Sequence, residues 1–235
     1  MSASAADEVL RVSVRELRMT LERIFLWAGV PDGLVGSVRE HALMSAALGL
    51  GGLSMVLDDH AAIATSAKHA ARLLDERSDC TVIDANGQHL WCIGATLLDL
   101  AIDAAGTATA RIEAINVGSG EEAGVLAALA HRQAARVRIR RDPGAAAVTL
   151  EVSTTPPPCT LAGWDPVLHR VLREGLPVAA TSWWTLHELS NRALSPDTID
   201  SRRHAGPIIV AADGRIIGRP VDDDTDFALL GRTTA

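Results

Sequence analysis

Between His89 and Arg141 the hydrophobic spacing of this chain switches from a helical to a strand period, and then does so again. Gly94 to Ala105 sets Leu97, Leu98, Ala101 and Ile102 at helical spacing and ends in Ala-Gly. Ala108 to Asn116 then alternates, with Ala110, Ile112 and Ala114 on one face and Arg111 and Glu113 on the other. Val117-Gly118-Ser119-Gly120 turns the chain into a second helix, Glu121 to Gln133, and Arg136 to Arg140 alternates once more. That succession predicts an α/β fold, in which an N-terminal helical region is followed by a mixed sheet with covering helices.

The flanks predict how this unit is dressed. Residues 1 to 9 are small and polar and predict no structure. Ser13-x-x-Glu16 is a capping box for a first helix that runs to Gly29, with Leu17, Leu21, Ile24 and Phe25 inward. Pro31-Asp32-Gly33 starts a second helix that reaches Leu48. Gly49, Gly51 and Gly52 interrupt it, and Asp58-Asp59-His60 opens a third helix that ends near Glu76. Asn86-Gly87 predicts a hairpin between Thr81–Asp84 and Gln88–Cys92, because both residues tolerate positive φ. Asp142-Pro143-Gly144 predicts a second hairpin, which sets Arg136, Arg138 and Arg140 near Thr149 and Glu151 on a solvated face.

Pro156-Pro157-Pro158 cannot donate to a ladder and marks a boundary. The expected division is a helical region over 1–78, a sheet core over 79–155, and helices with a hairpin packed on that core over 156–235. In the last part Asp165-Pro166 starts a helix that Gly175 closes, another helix covers Trp183 to Ala193, and Ser195 caps a short one. Asp213-Gly214 turns a third hairpin.

The net charge of −7 argues against nucleic acid, since phosphate neutralisation by Lys and Arg supplies most of that affinity. No apolar run reaches membrane-span length, and the start of the chain does not read as a signal peptide. Cys80, Cys92 and Cys159 form no C-x-x-C pair, so they read as free thiols of a cytoplasmic protein. Aromatic residues make up 3% of the chain, so the core rests on Ala, Val, Leu and Ile and each protomer has limited apolar bulk. A homodimer is the expectation.

Gly118-Ser119-Gly120 at a helix start invites a phosphate, yet Ser119 with Glu122 reads as a capping box, and Glu121 and Glu122 would meet the anion with like charge. Asp58-Asp59-His60 is read as a favourable helix start rather than a metal site, and no metal-ligand spacing occurs elsewhere. The polar stretch Asn191 to Gly206 gathers Arg192, Ser201, Arg202, Arg203 and His204. Guanidinium forks suit a carboxylate, and the same charges also suit the C-terminal end of a short helix.

Three segments carry a family resemblance: VSVRELRMTLERIFLWAGVPDGLVGSVREHALMSAALGLGGLS, GATLLDLAIDAAGTATARIEAINVGSGEEAGVLAALAHR and GPIIVAADGRIIGRP. Together they resemble the malate/L-lactate/L-sulfolactate dehydrogenase family, non-Rossmann NAD(P)-dependent oxidoreductases that include cyclic-imine reductases. The chain is shorter than those enzymes, and its C-terminal pattern is similar to that of a smaller group of bacterial proteins. The resemblance implies a small carboxylate substrate (a 2-oxo acid or cyclic imine) and NAD or NADP as cofactor beside Asn116 and Ser119. It also departs from the family. Ser54-Met55-Val56 stands where the family carries Ser-His-Gly, and Ser119 stands where it carries a second histidine. A thioether cannot carry a proton. As a reductase, the chain would use Arg192, Ser201, Arg202 and Arg203 on the carboxylate and His204 or His60 as proton donor. The alternative is a catalytically degenerate relative that serves as a partner subunit or a small-acid binding protein.

Overall fold

The computed structural model describes residues 8–77, 80–106, 108–119, 122–142, 144, 146–194 and 209–218. The capping box forms as predicted: Ser13 Oγ accepts from the Glu16 N–H at 3.2 Å, and Glu16 accepts from the Ser13 N–H at 3.1 Å. It opens α1 (Val14–Ala28), which Gly29 closes in the left-handed conformation at φ 86°. Helix α2 (Asp32–Ala47) follows as expected. Helix α3 does not begin at Asp58 but spans Gly52–Ser66, so Asp58-Asp59-His60 lies inside it. The reason is steric. A Cβ at Gly52 would stand 2.8 Å from Ser45 Oγ, so only glycine lets the start of α3 lie this close to α2.

The helix also ends earlier than its sequence predicts, at Ser66 rather than near Glu76. Arg72–Glu76 is a strand, β2, antiparallel to β3 (Thr81–Asp84). A further strand, β1 (Val9–Val12), begins within the stretch expected to lack structure and pairs with β7 (Leu176–Ala179). The Asn86-Gly87 turn forms, with φ of 51° and 77°, but no hairpin follows it. The chain enters α4 (Leu90–Ala105) instead and returns as β4 (Thr109–Ile115), parallel to β3. This βαβ crossover is the one parallel pairing in a sheet ordered β2-β3-β4-β6-β5.

Helix α5 (Gly124–His131) leads to β5 (Ala135–Asp142), which pairs with β6 (Ala147–Thr154) in the predicted hairpin. Arg138 reaches Glu151 at 3.3 Å on the open face. The opposite face buries Ile83, Ile112, Ala114, Val148, Leu150 and Val152 against α4 and α5. After a short α6 (Leu161–Trp164), Asp165 caps α7 (Pro166–Glu174) and Gly175 closes it, as predicted. Helix α8 (Ala180–Asn191) follows β7.

A second apolar core lies among α1, α2, α3, α8, β1 and β7, around Leu17, Leu21, Phe25, Leu43 and Leu186. Helix α4 stands between the two cores. Trp91 and Cys92 belong to the helical one, while Leu90, Ile93, Leu97 and Leu98 belong to the sheet. That double burial explains why its sequence is apolar nearly all round. Each large side chain so buried contributes roughly 1.5–3 kcal/mol. Contacts separate residues up to Ala193 from those after it. In the second unit β8 (Ile209–Val210) and β9 (Ile216–Gly218) form the predicted hairpin, with Gly214 at φ 84°. The short helix expected from Ser195 lies outside the described residues. All three cysteines are free thiols, two buried and Cys159 exposed. No helix among the described residues is long and apolar enough to cross a membrane.

Candidate functional site

In α/β sheets, ligands settle at the carboxyl ends of parallel strands, where the connecting loops diverge. Here that end is the pair of loops after Asp84 and Ile115. Asp84 ties them together: its Oδ1 accepts from the Asn86 N–H at 2.8 Å and from Asn116 Nδ2 at 3.0 Å. The Asn116 bond, then the Asn86 bond, holds the Asp84 carboxyl below the usual carboxylate range. Asn116 is itself left-handed at φ 54°, and its carbonyl accepts from the Gly87 N–H at 2.7 Å. His69 Nδ1 lies 2.9 Å from the Asn86 carbonyl, and Gln88 donates to the His69 carbonyl. Ser119 forms a parallel bridge with His89.

Two histidines stand behind this edge. His89 is the N-cap of α4, and its Nδ1 accepts from the Trp91 N–H at 3.1 Å. A neutral His89 therefore carries its proton on Nε2. Burial and then the charge of nearby His41 push its pKa down to about 4. His41 is fully buried on α2. Its Nδ1 lies 2.8 Å from the Ser37 carbonyl, which only a donor can meet, so neutral His41 has a bare Nε2. That atom has no hydrogen-bond partner among the described residues, and burial again brings the pKa to about 4. Gly94 makes room for it, since a Cβ there would stand 2.9 Å from Nε2. At neutral pH the pair is uncharged, so His89 Nε2 is able to donate and His41 Nε2 is able to accept.

Trp91, edge-on to His89 at 5.1 Å, is fully buried and donates through Nε1 to Glu122 Oε2 at 3.1 Å. This replaces the expected capping box. Helix α5 begins only at Gly124, with Ala123 as a cap that makes no side-chain bond, so Glu122 turns inward to the indole rather than back to Ser119. Next to His41, Glu40 accepts from Arg18 at 2.7 and 2.8 Å and from Arg132 at 2.9 Å. Burial alone would raise its pKa, but the Arg18 and Arg132 bonds outweigh it and hold the carboxyl low. Arg132 also pairs with Asp165, the cap of α7. The cluster joins α1, α2, α7 and the end of α5 behind the histidines.

No family model matches the chain, and neither does any curated protein. Among solved structures, a provisionally named malate/lactate dehydrogenase from E. coli superposes with a TM-score of 0.59. The match covers 80% of this chain and 96% of that one at 9% identity. The two share one fold. Malate dehydrogenases from Entamoeba histolytica (16% identity, TM-score 0.48) and Pyrococcus horikoshii (20%, 0.45) match over 56% and 55% of this chain. The chain spans 38% and 40% of their lengths.

On this fold the residues singled out in the sequence fall into separate places. Asn116 and Ser119 lie at the carboxyl end of the parallel pair, and the Asn116 side chain is already bonded to Asp84. His60 and Arg192 meet at Trp27, where His60 lies 5.8 Å from the ring at 38° and the Arg192 guanidinium sits 5.1 Å from its centroid. Ser201, Arg202, Arg203 and His204 lie outside the described residues. Among the described residues no cluster of His, Cys, Asp and Glu is arranged to hold a metal ion. Sequence reasoning missed His41, His89 and Trp91, and it read Glu122 as part of a cap rather than as the partner of the Trp91 indole. The available signals were a histidine just before an all-apolar helix and the Ser37-His41-Ser45 spacing inside an apolar stripe.

Proposed function

We propose that this chain keeps the scaffold of the malate/lactate dehydrogenase lineage and acts as a small-carboxylate binding protein or partner subunit, without nicotinamide chemistry. The carrying observation is Glu122, a buried carboxylate bonded to Trp91 beside the start of α5. A pyrophosphate needs free amides and positive charge at such a helix start. This one has a carboxylate, and the backbone ahead of it is closed, because a Cβ at Gly118 would run into the Gly87 carbonyl. The residues there do not fit NAD or NADP. The carboxylate preference rests on Arg192 and on the arginines and hydroxyls of 191–206. Free thiols support a cytoplasmic setting.

A second reading, a reductase of 2-oxo acids or cyclic imines, is favoured by His89. Its Nε2–H is a neutral donor in a half-buried position beside the carboxyl ends of the strands, suited to polarise a substrate carbonyl. Titration of NADH and NADPH against tryptophan fluorescence separates the two readings. We expect no saturable quenching. A 2-oxo acid should bind all the same, measured by calorimetry, and Arg202→Ala should weaken it by roughly 1.5–3 kcal/mol. Tight cofactor binding would overturn the proposal and restore the reductase.

A further inference from the structure

The five-stranded sheet has two edges, and they are built differently. The β5 edge carries Arg136, Arg138, Arg140 and Arg141, charges that discourage another strand from pairing. The β2 edge carries Arg72-Leu73-Leu74-Asp75-Glu76, and every one of these residues is exposed. Leu73 is 59% exposed and Leu74 54%. The register with β3 slips between Leu73 and Asp75, leaving Leu74 without a cross-strand partner. Bulges usually protect an edge by twisting it away or presenting a charge. This one presents a leucine. Alongside it a 440 Å³ groove opens between the strand and α4, lined by Leu73, Ile83, Ile93, Leu100 and Ile112. Leu100, on α4, is itself 44% exposed.

We propose that β2 is the interface of a homodimer, with two copies meeting edge to edge about a two-fold axis through Leu74. The charge pattern selects this arrangement. In an antiparallel pairing centred on Leu74, Arg72 lies opposite Glu76 of the partner subunit, and the symmetry repeats the pair on the other side. A parallel pairing would instead oppose Arg72 to its own copy and Glu76 to its own copy, which is destabilising. The two Leu74 side chains then meet at the axis. Calorimetry with a 2-oxo acid reads ligand binding and sedimentation reads assembly, so the two proposals fail by different measurements.

Sedimentation equilibrium of the full chain at micromolar concentration reads the assembly directly, with circular dichroism as a check on folding. Arg72→Glu alone and Glu76→Arg alone each replace two attractive contacts by two repulsive ones, and each should weaken the dimer about tenfold. The double variant Arg72→Glu/Glu76→Arg restores opposite charges with reversed polarity and should recover wild-type affinity. Leu74→Lys should leave a folded monomer. A wild-type monomer overturns the proposal. So does a dimer indifferent to Leu74→Lys, as does a double variant no tighter than the single ones.

Discussion

His41 ties the stability of this protein to pH through one side chain. Its pKa is about 4 in the folded chain against an ordinary 6.5, because burial excludes the charged form. Arg132 adds to the depression and Glu40 opposes it. The unfolded chain therefore binds a proton that the folded one refuses, and stability falls as pH drops through 6.5 toward 4. The full gap is worth about 3 kcal/mol at roughly 1.4 kcal/mol per unit, realised only below the folded value. At pH 5 about 2 kcal/mol of it has gone. His89 adds to the same trend, since its pKa is depressed in the same direction. Glu40 acts in a lower window, below its ordinary 4.5, where its paired carboxylate begins to protonate. Urea unfolding followed by tryptophan emission at pH 7 and pH 5 measures the loss. His41→Asn keeps a donor for the Ser37 carbonyl and removes the titration, so its pH slope should be shallower by about 2 kcal/mol over that interval. An unchanged slope in the variant would refute the assignment.

Two further outcomes follow from the same region. Gly94→Ala puts a methyl 2.8 Å from Leu126 Cδ2 and 2.9 Å from His41 Nε2, and should destabilise the fold by roughly 1–3 kcal/mol in thermal unfolding. Glu40→Gln leaves Arg18 and Arg132 without their shared carboxylate and should cost about 3 kcal/mol by denaturant titration, with the loss persisting in high salt.

The parts of the fold that were legible in the sequence are those with local causes. Ser13-x-x-Glu16 and Gly29 bound α1 because each satisfies or releases backbone groups within one turn. Asp165-Pro166 and Gly175 bound α7 for the same reason. The β5–β6 hairpin follows from alternation across a tight turn. The misread elements have causes far away in sequence. Gly52 reads as a breaker, yet it starts α3 because it must pass over Ser45. Asn86-Gly87 turns the chain as a hairpin would, but β3 finds its neighbour in β4 across the whole of α4. Arg72–Glu76 becomes a strand only because β3 offers it an edge.

The site was less legible than the fold because its chemistry is defined by burial, which a single sequence does not print. Glu121 and Glu122 can be read as adjacent acids at a helix start, and the electrostatic objection to a phosphate follows from either. What the sequence conceals is that Glu122 is inside, bonded to Trp91, 31 positions earlier in the chain. The same holds for His41 and His89. Neither belongs to a metal-ligand or catalytic motif, and their relation exists only because α4 is wedged between two cores and brings its N-cap toward α2. That position makes both rings neutral, so the site offers hydrogen bonds rather than charge. A carboxylate held there alone would gain little. Any strong grip on an acid needs guanidinium groups, which neither ring supplies.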